Sequence, residues 1–157
     1  MGMDATDEVQ ESTAPNERVD IASRDDIRRL IFEFYTRAFQ DELLRIIFVD
    51  VAHMDLDEHL PVMCDFWSTV LLGERSYRGG AFAPHVHLHE QVPLTAQHFD
   101  HWLTIWYATV DDLFRGETAE TAKDRATNVA HAFHDRLNRP TGGPVCAYRF
   151  SGSAASE

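Results

Sequence analysis

The chain has 157 residues, 44% of them apolar. That suits one domain, long enough to bury roughly 68–70% of its unfolded surface without disulfides or a metal staple. Fourteen Lys plus Arg stand against 26 Asp plus Glu, a formal charge of -12, which argues against nucleic acid and against anionic membrane surfaces as partners. Two cysteines, Cys64 and Cys146, form no CxxC and no disulfide framework, a usage that fits the cytoplasm. No apolar run approaches the ~18 residues of a membrane-spanning helix.

Residues 1–22 read as a disordered acidic tail. The first 20 residues hold six acids against Arg18 alone, with no aromatic and no apolar stretch of the kind a secretory signal needs. The globular domain is expected over 23–139. Ser23 with Asp26 makes a capping-box start. Ile27, Leu30, Ile31, Phe34, Tyr35 and Ala38 follow at helical spacing. A second stripe, Leu60, Met63, Cys64, Trp67 and Leu71, ends at Gly73. Pro61 belongs in a first helical turn, which favours Asp57 over Asp55 as the cap. The third stripe is Phe99, Trp102, Leu103, Trp106, Val110 and Leu113, between Thr95 and Gly116. The fourth is Ala119, Ala122, Ala126, Val129, Ala130, Phe133 and Leu137. Strand alternation is nearly absent, so the class is all-α. Gly73 to Pro93, with two further glycines, Pro84 and His85, His87 and His89, reads as a loop with a short helix. Residues 140–157 read as a flexible tail, in which Val145, Cys146, Tyr148 and Phe150 form a short strand or dock on the body.

Nine histidines need an explanation. No HExxH motif is present, and no Glu-x-x-His pair of the di-iron kind occurs. His98/His101 and His131/His134 are i,i+3 pairs whose plain reading is a solvated helix face. One metal centre needs a single protein ligand, namely haem iron held by one proximal histidine. From composition and period alone, a helical bundle with ordinary core aromatics stays ahead of that reading.

The run HLPVMCDFWSTVLLGERSYRGGAF, followed by HVHLHEQVPLTAQHFDHWLTIWYATVDDLF, resembles the group III truncated haemoglobins. The likeness covers about residues 24–138. It is carried by Phe34-Tyr35, by Phe48 thirteen residues beyond Tyr35, by CDFW with LLG, by the Tyr77–His85 spacing and by LTAQHFDHWL. It implies a two-on-two helical sandwich around a haem pocket. His85 matches the proximal metal ligand, with His87 and His89 as competitors. Tyr35 and Trp102 match distal donors on two different helices, and His59 matches a distal-helix histidine found in some relatives. Phe34, Phe48, Phe66 and Trp67 are expected in the pocket wall. Arg75, Arg78 and His89 are candidates for the propionates. The sequence departs from the family at Arg45-Ile46-Ile47, where relatives often carry Gly-Pro, and in a longer loop after His85.

The resemblance implies a haem protein that reversibly binds oxygen or a related diatomic gas. Its range includes nitric oxide dioxygenase or peroxidase-like activity with electrons from an external reductase, as a monomer or weak homodimer. The alternative is a globin-like sensor or interaction module without turnover.

Overall fold

The computed structural model describes residues 17–139. The sequence readings for 1–16 and 140–157, including the strand or docking segment around Tyr148, lie outside the described residues. Six α-helices follow in order: α1 (Arg24–Ala38), α2 (Glu42–Arg45), α3 (Leu56–Leu72), α4 (Phe82–Gln91), α5 (Ala96–Leu113) and α6 (Glu117–Leu137). A π-helical turn over Ile46–Val51 continues α2. No strand occurs among the described residues, so the all-α class holds.

Helix α1 begins at the expected capping box. Ser23 Oγ accepts the Asp26 amide, and Asp26 Oδ2 accepts the Ser23 amide at 3.0 Å. All six residues of its stripe are buried. Helix α3 starts two residues earlier than expected, because Asp55 and not Asp57 is the cap. Its carboxylate accepts the Asp57 amide at 2.9 Å. Pro61 therefore sits in the second turn, and the bond its missing N–H would have made is lost. Gly73 closes α3 in the left-handed conformation (φ +71°), as its position predicts.

Helices α1 and α3 pack as one layer and α5 and α6 as the other, with α1 crossing α5 and α3 crossing α6. This is the two-on-two sandwich. Ala119, Ala122 and Ala126 let α6 approach α5 closely, and Trp106 Nε1 donates to the Ala122 carbonyl at 3.1 Å across that seam. The core is aromatic. The Trp106 ring stacks on Trp67 (4.4 Å) and on Trp102 (5.6 Å), while Phe34 meets Trp102 and Trp106 edge-on.

Residues 17–22, read from sequence as tail, are joined to the body. Ile21 is buried, and Asp20 caps α6 from a distance by accepting the Thr118 and Ala119 amides at 2.8 Å. Burial alone would raise the Asp20 pKa, but bonds from the Thr118, Ala119 and Ile21 amides hold it below the usual carboxylate value. Gly116 makes room for that carboxylate. At φ +153°, a Cβ there would lie 2.3 Å from the Asp20 carboxyl carbon.

Candidate functional site

Helix α4 carries His85. Pro84 falls in its first turn, where no amide donor is missed, and no side chain caps its start. None of its ten residues is fully buried, and its main helical neighbour is α6. Phe82 and His85 both rest on Phe133 of α6, at 5.0 and 4.8 Å between rings. His85 Nδ1 lies 2.7 Å from the Ala81 carbonyl oxygen. A carbonyl only accepts, so Nδ1 carries the hydrogen and the Nε2 lone pair is left for a ligand bond. Burial pulls the His85 pKa down, and the bond to Ala81 brings it part of the way back. The ring is therefore held neutral, as metal ligation requires.

Between the helices of the other layer, Tyr35 Oη and His59 Nε2 lie 2.9 Å apart, joining α1 to α3. Burial pushes the Tyr35 pKa well above its ordinary value, so the phenol keeps its hydrogen. The His59 pKa is depressed by burial, and a charge on His85 would depress it further. The two histidines thus share one electrostatic environment although they stand on different helices. Phe48, on the π-helical turn, packs edge-on against Tyr35 at 5.7 Å, and Phe39 packs between helix end and turn.

Trp102 is half-buried on α5 and touches Phe34, which in turn touches Tyr35. Phe66 is half-buried on α3 against Trp67 and Tyr77. Phe34 and Trp67, expected in the pocket wall, are nearly fully enclosed in the aromatic core behind it. Of the competing ligands, His87 points outward with its side chain 78% exposed, 3.8 Å from Glu90. His89 Nδ1 is occupied as acceptor of the Leu94 amide at 2.9 Å. Arg75 and Arg78 are exposed.

The His98/His101 pair is not simply solvated, whereas His131 is exposed as read. His98 Nδ1 accepts the Thr95 amide at 3.1 Å, and His101 Nδ1 donates to Asp41 at 3.1 Å. An open groove of about 390 Å³ beside that pair is lined by Asp41, Glu42, Leu43, Ile46, Gln97 and His101, and shares no residue with the Tyr35–His59–His85 region.

Among the described residues, no three His, Cys, Asp or Glu side chains gather as a metal site. A metal needing several protein ligands has no cage here. Haem iron needs one, and His85 offers it with the correct nitrogen free, its ring against Phe133 and close enough to His59 for a charge on it to be felt there. The residues present fit a haem. No helix among them is long and apolar enough to cross a membrane.

An α-helical sandwich with one such histidine, and a buried tyrosine bonded to a second histidine on two other helices, defines a globin. The family described as bacterial-like globin matches residues 20–135, and the chain belongs to it. It is 25% identical over 118 residues to the group 3 truncated hemoglobin ctb of Campylobacter jejuni, covering 73% of this chain and 91% of that protein. The crystal structure of a group III truncated hemoglobin from Campylobacter jejuni superposes with a TM-score of 0.69 and 25% identity, over 80% of this chain and 99% of the other. The family implies haem as the cofactor.

Sequence reading used Tyr77 only as a spacing marker and passed over Ala81, whose backbone holds His85. Tyr77, Ala81 and His85 stand four residues apart in turn, and that spacing is the signal that was available.

Proposed function

We propose that this chain holds haem through His85 Nε2 and binds a diatomic gas, oxygen or nitric oxide, on the side of Tyr35 and Trp102. The observation that carries the reading is the His85 tautomer: its Nδ1–H is spent on the Ala81 carbonyl, so only Nε2 is free to ligate. Bound there, haem would supply one open coordination position for the gas.

The chain's own residues do the rest. One hydrogen lies between Tyr35 Oη and His59 Nε2. If His59 carries its hydrogen on Nε2 it donates to Tyr35 Oη, and the Tyr35 O–H is free to donate to the ligand; if it carries its hydrogen on Nδ1, Nε2 accepts the Tyr35 O–H. The His59 tautomer therefore sets whether the phenol, which keeps its hydrogen, donates to His59 or to the ligand, in a site of low dielectric where a donor acts more strongly than in water. The Trp102 N–H adds a donor that cannot accept. His59, an imidazole acid–base group bonded to the distal phenol, is what favours a detoxifying turnover with nitric oxide or peroxide over storage alone. Such a turnover would draw its electrons from a separate reductase in the cytoplasm.

Two variants test this. His85→Ala should fold with unchanged helical circular dichroism but lose haem, by at least roughly tenfold in retention; normal haem uptake would overturn the assignment of the ligand. Tyr35→Phe removes a charge-assisted donor worth about 1.5–3 kcal/mol, so oxygen should dissociate roughly ten- to a hundredfold faster. A stopped-flow off-rate equal to that of the parent would remove Tyr35 from the ligand contact.

A further inference from the structure

Helix α4 has no fully buried residue, so packing on α6 leaves its rotation and the aim of His85 loosely determined. A chain of hydrogen bonds reaches His85 from α3 instead. Thr69 Oγ1 on α3 accepts the Tyr77 amide at 3.2 Å, and the Tyr77 ring sits edge-on against Phe66, also on α3, at 5.1 Å. Tyr77 Oη then accepts the Ala81 amide at 2.6 Å, and the Ala81 carbonyl accepts His85 Nδ1–H at 2.7 Å. Gly79 and Gly80 lie between, at φ +91° and +94°. A left-handed path that residues with a Cβ rarely adopt is what returns the chain to the hydroxyl of Tyr77.

We propose that Tyr77 is a positioning residue for His85, fixing through Ala81 both the tautomer of the imidazole and the direction of Nε2. The proposal rests on the reading of His85 as the haem ligand, although the relay itself is a property of the chain. Both flanks of Ala81 are pinned: its amide by Tyr77, its carbonyl by His85. Releasing the amide frees the first turn of α4 to rotate, and the carbonyl no longer meets Nδ1–H squarely. A hydrogen bond from Nδ1–H also makes Nε2 more basic, so loosening it weakens the ligand bond. Tyr77 touches neither the iron position nor a gas ligand; it acts through the backbone of Ala81.

Tyr77→Phe in the full chain keeps the ring against Phe66 and deletes the hydroxyl. In the hemin-free protein, the nitrogen NMR signals of His85 should change from a single Nδ1–H tautomer to a mixture. The Ala81 amide should exchange about tenfold faster, while core amides of α1 and α5 hold their rates. After hemin loading, haem should dissociate about tenfold faster, the low end for groups that orient a metal ligand, with a shifted iron–histidine Raman frequency. Thr69→Val should move the same readouts in the same direction and Thr69→Ser should restore them. These two variants decide the matter if Tyr77→Phe does not fold. An unchanged His85 tautomer and an unchanged haem dissociation rate, whatever happens to the melting temperature, would overturn the proposal. If the parent chain takes up no hemin, the reading of His85 as a haem ligand fails instead. The tautomer and exchange measurements on the hemin-free chain still decide the relay.

Discussion

Helices α4 and α5 flank the same region and are held in place by different forces. On α5, Trp106, Thr109 and Val110 are buried, and the Trp106 ring stacks between two other indoles. On α4 no residue is fully buried, and its ties are directional. The Ala81 amide bonds to Tyr77, His85 bonds to Ala81, His89 bonds to Leu94, and Arg136 lies over the Phe82 ring at 3.7 Å. Burial is strong but indifferent to small rotations. Hydrogen bonds are individually weak but fix orientation. A helix that carries a metal ligand benefits from the second kind of support, because it needs aim more than stability. The contrast breaks most clearly at Trp106. Trp106→Ala should cost about 3–5 kcal/mol in equilibrium denaturation, whereas His85→Ala should cost the hemin-free chain little. A loss below about 1 kcal/mol at Trp106 would mean that α5 is not held by burial.

A smaller effect is expected at the corner where the two helices meet. There, two imidazoles act as acceptors: His89 Nδ1 for the Leu94 amide and His98 Nδ1 for the Thr95 amide and hydroxyl. Burial and the neighbouring His101 hold the His98 pKa below its ordinary value. The folded chain then binds fewer protons there than the unfolded chain. The stability from His98 is fully present above its unfolded pKa, about 6.5, and is lost as the pH falls from there toward the folded pKa. Protonation turns the acceptor into a donor and breaks the cap. His98→Ala should therefore cost about 1 kcal/mol at pH 8, and the gap between variant and parent should narrow by pH 5. A gap of constant size across that range, measured by denaturant titration at each pH, would show that the imidazole is not acting as an acceptor at the corner.

The same division explains what the sequence revealed. Burial leaves a periodic trace, so the α1 stripe was legible residue by residue and the buried apolar members of α3, α5 and α6 lay within theirs, while the buried hydroxyl residues Ser68 and Thr109 did not. The π-helical turn was not, since Leu43, Leu44, Ile46, Ile47, Phe48 and Val49 form an apolar run broken only by Arg45, with no stripe to read. Polar ties between distant residues leave no period at all. Asp20 lies 98 residues from the Thr118 amide it accepts, and nothing local marks the pairing. The start of α3 was misplaced because the proline rule outweighed a carboxylate already bonded to the second amide of the helix. For the site, His85, Tyr35 and His59 came from family resemblance, and the structure adds geometry that spacing does not contain. The 2.9 Å contact between Tyr35 and His59 and the tautomer of His85 are examples. His101 was read as a surface residue, and its bond to Asp41 depends on a turn, Glu42–Arg45, that had no sequence signal of its own.

The smallest predicted effect sharpens the burial side of the comparison. Ser68 on α3 is fully buried, and its Oγ has no hydrogen-bond partner among the described residues. A hydroxyl taken out of water without compensation is destabilising, and serine is also a poorer helix former than alanine. If apolar burial sets the position of α3, deleting that hydroxyl should help. Ser68→Ala should raise stability by ~0.5–1 kcal/mol, with the denaturant dependence unchanged and the cap at Gly73 intact, because the cap uses the Ser68 carbonyl and not its side chain. A loss of stability on Ser68→Ala would show that Oγ does have a bonding partner in solution. The inner face of α3 would then, like α4, depend in part on a directional contact.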